Sequence, residues 1–402
     1  MISKTGSAEG IFLYSSEFLP FKGGVGRYTE DTAFLLADGN FAPVTVFTET
    51  ANHGGYPDQR VPFRVVRRPI GLFARHPWLN LALNALSSAA VLLSLRRHPS
   101  GWVVVTGKRA IFNFLFFRPL IGRRKTAIIV HGSELSEIET PRGWRQRTLR
   151  RAFLSASAAA TRIIISNKYA LGRFEALPGF DRSKIALLYP IVNPDRVVLQ
   201  ALWVERYRKE HFAKPAFSIV TLARLSPRKG QDHTIQALGR LSREVTQEFR
   251  YFIIGNGSYK DELNKAIDRE GLRGRVHILE GLSDDQAYAL TSLCDLFVMP
   301  NREHKGTVEG FGISFLEANV LGLPALAGRS GGSVEAVEDG ANGMLCDGDD
   351  PDDIYRKVRE YQENADLRSR LKAQCRQVAL DRFSFERWKG PYQAAFRDGR
   401  IA

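Results

Sequence analysis

One pattern constrains the fold of this chain more than any other: an alternation of short apolar runs and helix-period stretches that is played twice. In the first pass, residues 10–15, 44–48, 103–106, 127–130 and 162–166 have strand length and apolar character, and 25–36 carries helical periodicity. A polar helix near 202–211 interrupts the pattern, which then restarts. Strands are predicted at 217–222, 250–254, 276–279, 296–299 and 324–327. Helices are predicted between them at 232–242, 259–270, 284–293 and 309–321. Short β runs separated by helices predict parallel sheets covered on both faces. Two passes predict two α/β domains, 1–195 and 210–384, joined by a linker near 193–214. A last helix, 385–402, is expected to pack back on the first domain.

A length of 402 residues suits two domains of near-equal size. The 44% hydrophobic and 25% charged content belongs to an ordinary globular chain. Three scattered cysteines, Cys294, Cys346 and Cys375, argue against a disulfide framework or a zinc site and suit a reducing cytoplasm. The first ten residues lack the apolar segment of a signal peptide, and the apolar stretch 79–95 is too short to span a bilayer. The net charge of +14 is unevenly placed. Residues 1–200 hold 27 Lys and Arg against 13 Asp and Glu, so the second half is neutral. Such asymmetry points the first half toward something anionic.

The strongest chemical signal is Glu309-Gly310-Phe311-Gly312-Ile313-Ser314-Phe315-Leu316-Glu317. On one helix, a spacing of eight would set the two carboxylates on nearly one face, about 12 Å apart. That is too far for a shared metal and suits the two ends of a long ligand. Gly310 and Gly312 would present backbone amides at a helix start, where phosphate is stabilised by unpaired donors and the helix dipole. A second signal is Arg224, at the carboxyl end of a predicted strand, with Lys229 five residues later. Ligands of open parallel sheets bind at that edge, and a guanidinium with an ammonium can clamp a diphosphate there. Between them, Arg228 reads as a solvated turn residue.

Taken together these segments resemble the signature of glycosyltransferase family 4. Ser330-Gly331-Gly332-Ser333-Val334-Glu335 is similar to the same pattern, as are Gly23-Gly24-Val25-Gly26-Arg27-Tyr28 and His131-Gly132-Ser133-Glu134. The similarity runs through nearly the whole chain in order. It implies the GT-B fold, two Rossmann-like doubly wound domains facing each other across a cleft, and sugar transfer with retention and no metal or other cofactor. By the resemblance, Arg224 and Lys229 would bind the donor diphosphate, and Gly310, Phe311, Gly312 and Ile313 would line it with amides. Glu317 would hold the ribose and Glu309 the donor sugar. His131 would approach the reacting carbon, and Gly24 would admit the phosphate or acceptor. Gly255, Gly257 and Leu282 would lead to base and ribose. Val308-Glu309-Gly310-Phe311-Gly312, after the loop 301–307, also looks similar to the lipid mannosyltransferase branch of this family, which points to a UDP- or GDP-sugar donor, GDP-mannose among them, and a glycan or lipid-linked acceptor at the cytoplasmic membrane face.

Other readings compete. A nicotinamide-dependent oxidoreductase would need a glycine fingerprint directly after the first strand, and 20–26 lacks that spacing. The basic half carries no recognised nucleic-acid-binding motif, so no nucleic-acid partner is expected. A glycosyltransferase acting on a small soluble acceptor, or a nucleotide-sugar epimerase, would share the fold. Asp347, Asp349, Asp350, Asp352 and Asp353 read as a helix start rather than a metal site. The basic and aromatic segments 67–78 and 113–125 are expected to touch anionic lipid peripherally.

Overall fold

The computed structural model describes residues 10–15, 17–19, 23–49, 61–68, 95, 100–107, 110–111, 114, 121–122, 124–132, 134–136, 138–139, 141, 143–244 and 248–397. The chain divides into two compact units. One comprises Met1–Pro190 with Trp388–Ala402, and the other Ile191–Arg387.

In the first unit the strands are β1 (Ile11–Ser15), β2 (Val44–Glu49), β3 (Arg64–Arg68), β4 (Trp102–Thr106), β5 (Lys125–Val130), β6 (Arg162–Ile165) and β7 (Ile185–Leu187). They form one parallel sheet in the order β3-β2-β1-β4-β5-β6-β7. β1 is central: Ile11 is in register with Val44 on one side and Trp102 on the other. β1 and β4 are buried throughout, which explains why they read as unbroken apolar runs rather than alternating ones. Helix Phe385–Ala395 ends in this unit: Tyr392 donates to the Tyr189 carbonyl at 2.8 Å, and Gln393 donates to the Leu35 and Asp38 carbonyls.

The second unit repeats the plan with β8 (Phe217–Leu222), β9 (Phe249–Ile254), β10 (Val276–Leu279), β11 (Leu296–Met299), β12 (Ala325–Gly328) and β13 (Gly343–Cys346). Its parallel sheet runs β10-β9-β8-β11-β12-β13. Helices Gln231–Glu244 and Pro351–Glu363 pack together over one face through Ile235, Leu238, Ile354 and Val358, all in the apolar core of this unit. Both sheets follow the strand order of a dinucleotide-binding fold, with the order reversing beside β1 and beside β8.

Three strands escape the sequence pattern. β3 is Arg-Val-Val-Arg-Arg at a sheet edge, where charge is tolerated because one side meets solvent. β7 spans only three residues. β13 opens on Gly343, where a side chain would stand 2.1 Å from the Ala325 carbonyl. The acid-rich loop does start a helix: Asp350 accepts from the Asp352 amide and Pro351 occupies the first turn.

Of the two segments expected to touch lipid, only a few residues are described. Arg67 belongs to β3, donating at 2.7 Å to the Leu19 carbonyl with its guanidinium near the Phe18 ring. Arg124 donates to the carbonyls of Ile121 and Leu95, and Phe114 lies in the core. These side chains stabilise the fold. The stretch 69–94, with its expected helix, lies outside the described residues.

Candidate active site

The strand order reverses beside β8, and ligands of such sheets bind at the carboxyl ends of the strands at that point. Both conspicuous motifs sit there. After β8 the chain passes Arg224, then turns through Pro227–Lys229 to Gly230, which has φ of 71°. A side chain on Gly230 would stand 2.2 Å from the Pro300 carbonyl, so glycine allows the turn to lie against the loop after β11. That contact brings Lys229 to Glu309. Lys229 Nζ lies 2.5 Å from Glu309 Oε2, and Arg228 Nη1 reaches the same oxygen at 3.0 Å. Each of Lys229 and Glu309 is 8% exposed.

Burial works to raise the Glu309 carboxyl, but the charges of Lys229 and Arg228 and the Phe311 amide outweigh it and hold the group below its usual range. Burial lowers the Lys229 ammonium, opposed by Glu309 and reinforced by Arg228 and Arg224. The structure thus gathers two cations on one carboxylate, with Arg224 near enough to Lys229 to act on its charge. Arg228 is not the solvated turn residue expected. It also donates at 2.6 Å to the Val308 carbonyl, tying the β8 turn to the Glu309 loop.

The expected helix from 309 begins instead at Ile313 and ends at Val320. Glu309 and Glu317 therefore do not share a helix face. Gly312 caps the helix at φ of 87°, and a side chain there would stand 2.6 Å from the Phe315 ring. Backbone and packing both demand glycine at this position. The Phe311 ring packs edge-on against Phe383, and its amide is engaged by Glu309. Glu317 Oε1 accepts from the Tyr288 hydroxyl at 2.8 Å, a partner that lies 29 positions away and that the sequence did not suggest.

Two other glycines have structural duties. Side chains on Gly255 and Gly257 would stand 2.0 and 2.2 Å from the carbonyls of Ala223 and Leu225, so these glycines let the loop after β9 lie against the Arg224 loop. The Gly255 amide donates to the Leu279 carbonyl, which removes it as a donor to ligand. Asn256 accepts from the Gly281 amide, drawing the half-buried Leu282 loop alongside. The Ser330-Gly331-Gly332 segment backs the site: Gly332 donates to the Glu309 carbonyl at 2.9 Å.

One pair escaped the sequence altogether. Arg302 makes a bidentate contact with Asp232, at 2.9 and 2.8 Å, both residues being buried. Tyr259 donates to the same carboxylate, and the Arg302 amide donates to the Arg228 carbonyl. This pair fixes the loop after β11 to the Arg228–Lys229 turn.

In the first unit, His131 follows β5. Its Nε2 lies 3.0 Å from the Thr106 hydroxyl at the end of β4, and its ring meets Tyr28 edge-on at 4.8 Å. The His131 amide donates to Glu134. Desolvation brings the imidazole down from 6.5 to about 4. Because the unfolded chain binds that proton more readily, stability is full above 6.5 and is lost as pH falls toward 4. His131 is neutral at pH 7. An NMR titration of its ring is expected to give a midpoint near 4, and a midpoint at or above 6.5 would contradict the desolvated setting. Gly24 opens helix Gly24–Ala37 and is exposed, with open space where a side chain would project.

A doubly wound pair of domains with a cationic cluster at one switch point fits an enzyme of the GT-B fold. Comparison with known proteins agrees. Residues 204–378 match the family described as glycosyl transferases group 1, so the chain carries a glycosyltransferase group 1 domain. It is 28% identical over 396 residues, 97% of this chain and 98% of the other, to the GDP-mannose-dependent alpha-(1-6)-phosphatidylinositol monomannoside mannosyltransferase of Mycolicibacterium smegmatis. It is 25% identical to the Corynebacterium glutamicum enzyme named for the monoacylated form of that lipid, over 92% of this chain and 93% of the other. Among solved structures, Anabaena HepE in complex with UDP superposes with a TM-score of 0.75 at 20% identity, covering 95% of this chain and 97% of that one. WaaG, a glycosyltransferase of lipopolysaccharide biosynthesis, gives 0.72 at 19%, covering 97% and 100%. The GT-B fold and the family-4 resemblance are borne out, and the chain is a glycosyltransferase.

Proposed function

We propose that this enzyme transfers mannose from GDP-mannose to a phosphoinositide-type glycolipid at a membrane surface, with retention and without a metal. The observation that carries the donor part is the charge balance at the β8 switch point. Arg224, Arg228 and Lys229 against Glu309 leave two net positive charges, matching the two negative charges of a sugar-nucleotide pyrophosphate. The relatives' names supply the base, the sugar and the class of acceptor.

In this reading the pyrophosphate competes with Glu309 for Lys229 and is also met by Arg224. As the glycosidic bond breaks, charge grows on the leaving phosphate, and preorganised cations stabilise it more in the transition state than in the ground state. Three side-chain cations do the work that a divalent metal does elsewhere. Glu309, released from Lys229, turns to the sugar hydroxyls, and Glu317 with Tyr288 meets the ribose. The basic first half keeps the enzyme peripheral on anionic lipid; among the described residues no helix is long and apolar enough to cross a membrane.

The test is a panel of GDP-mannose, UDP-glucose and UDP-N-acetylglucosamine, each with detergent-dispersed phosphatidylinositol monomannoside and in the presence of EDTA. Transfer from GDP-mannose that survives chelation, with an α-anomeric product, is expected. Preference for a UDP-sugar would overturn the donor, and loss of activity in EDTA would overturn the metal-free route.

A further inference from the structure

The most exposed large apolar side chain among the described residues is Trp144, 81% exposed at the first turn of helix Trp144–Ala159. We infer that the outer stripe of this helix, led by Trp144, Arg147 and Arg151, is a docking surface for anionic lipid headgroups. The inference rests on the lipid-acceptor reading above but names a surface which that reading does not.

The helix has a clear inner face: Phe153 and Ala156 are buried in the core of the first unit, with Leu149 packed against it. Trp144, Arg147, Thr148, Arg151, Ser155 and Ala158 are exposed. At 100° per residue these six fall on one stripe, about 20 Å long. A stripe built only for water would not lead with an indole, whose burial would otherwise favour folding. Indole and guanidinium groups together suit the boundary between headgroups and acyl chains, where one end is apolar and the other wet.

Charge supports the same occupant. The helix sequence, Trp-Arg-Gln-Arg-Thr-Leu-Arg-Arg-Ala-Phe-Leu-Ser-Ala-Ser-Ala-Ala, contains no acid. All four of its arginines lie in the first half, and Arg145 and Arg147 stand in the first turn, beside the positive end of the helix dipole, where cations are disfavoured. An anionic surface relieves that repulsion. Arg150 has a separate duty, donating to the Glu139 carbonyl at 3.1 Å, whereas Arg147 and Arg151 are exposed on the stripe.

The experiment uses the full chain with vesicles of phosphatidylcholine alone, or mixed in equal parts with phosphatidylglycerol, read by co-sedimentation at low and high salt. The parent is expected to bind the mixed vesicles, less so as salt rises. Trp144→Ala is expected to weaken binding about tenfold, and Arg147→Glu with Arg151→Glu by more than roughly 30-fold. Arg273→Glu, at an equally exposed arginine of the other unit, should bind as the parent does. All variants should keep the parental circular dichroism and the parental rate on detergent-dispersed acceptor, since none of these residues belongs to the active site. Parental vesicle binding by Trp144→Ala and the double variant would overturn the proposal. So would binding to single-stranded RNA that the same substitutions abolish while vesicles are ignored. If the chain docks on vesicles through this face yet does not use GDP-mannose, the donor reading falls and the surface stands.

Discussion

Lys229→Ala is expected to lower kcat roughly 100- to 1000-fold with GDP-mannose, the scale for removing one preorganised donor to a developing oxyanion. The substitution takes away the buried ammonium that lies 2.5 Å from Glu309 and that, in the proposed mechanism, turns to the leaving phosphate. Arginine is a poor substitute, because a planar fork cannot occupy the place of a compact ammonium next to Arg228. Removing one partner of a buried pair also threatens the fold, so activity alone would not decide the matter. Lys229→Met combined with Glu309→Gln removes both charges together. That double variant is expected to regain most of the thermal stability lost by Lys229→Ala while remaining nearly inactive. Should Lys229→Ala retain more than about a tenth of the parental kcat, the ammonium does not neutralise the leaving group, and the assigned site is wrong.

The parts of this site that were legible in the sequence are those encoded locally. Lys229 stands out because it follows a strand at a fixed short distance, and Glu309 through Glu317 because glycines mark a helix start. The central strands were legible for the same reason: a strand buried on both faces reads as an apolar run, as β4 does over Trp102 to Val105 and β5 over Ala127 to Val130. What failed depended on distant partners. Arg228 looks like any charged residue of a βα turn until the Val308 carbonyl and Glu309, about 80 positions away, come to meet it. The helix from 309 was drawn too long because helical spacing cannot register that Gly312 sits in a left-handed conformation and that Glu309 faces backwards to two cations. Gly255 and Gly257 show another limit. A glycine after a strand signals close approach, but the sequence does not say whether ligand or backbone approaches, and here it is the backbone of Ala223 and Leu225.

Arg302 is the clearest case of a residue with large consequences and no local signature, and Arg302→Ala is expected to destabilise the second unit by about 3–5 kcal/mol. Its guanidinium is buried and paired through two parallel hydrogen bonds with Asp232, 70 positions away. Burial pushes the Asp232 carboxyl upward, and the Arg302 charge and hydrogen bonds more than reverse this, so the folded state holds it ionised below its usual range. Truncating Arg302 leaves that carboxylate buried with only the Tyr259 hydroxyl and weaker charges near it, which is why the single substitution costs far more than a surface pair would. For a unit of this size the loss corresponds to a fall of roughly 6–20 °C in its melting transition. Because the folded carboxyl is depressed, the parent's advantage over Arg302→Ala should be complete above the unfolded carboxyl range and shrink as pH falls through the folded value. Replacing both partners, Asp232→Leu with Arg302→Met, removes the stranded charge and should cost much less than Arg302→Ala alone. Calorimetry of the parent, Asp232→Leu, Arg302→Met and the double variant closes the cycle. A single-variant loss below about 1 kcal/mol would mean that solvent reaches Asp232, and the Arg228–Lys229 turn would then have to be held in place by something other than this pair.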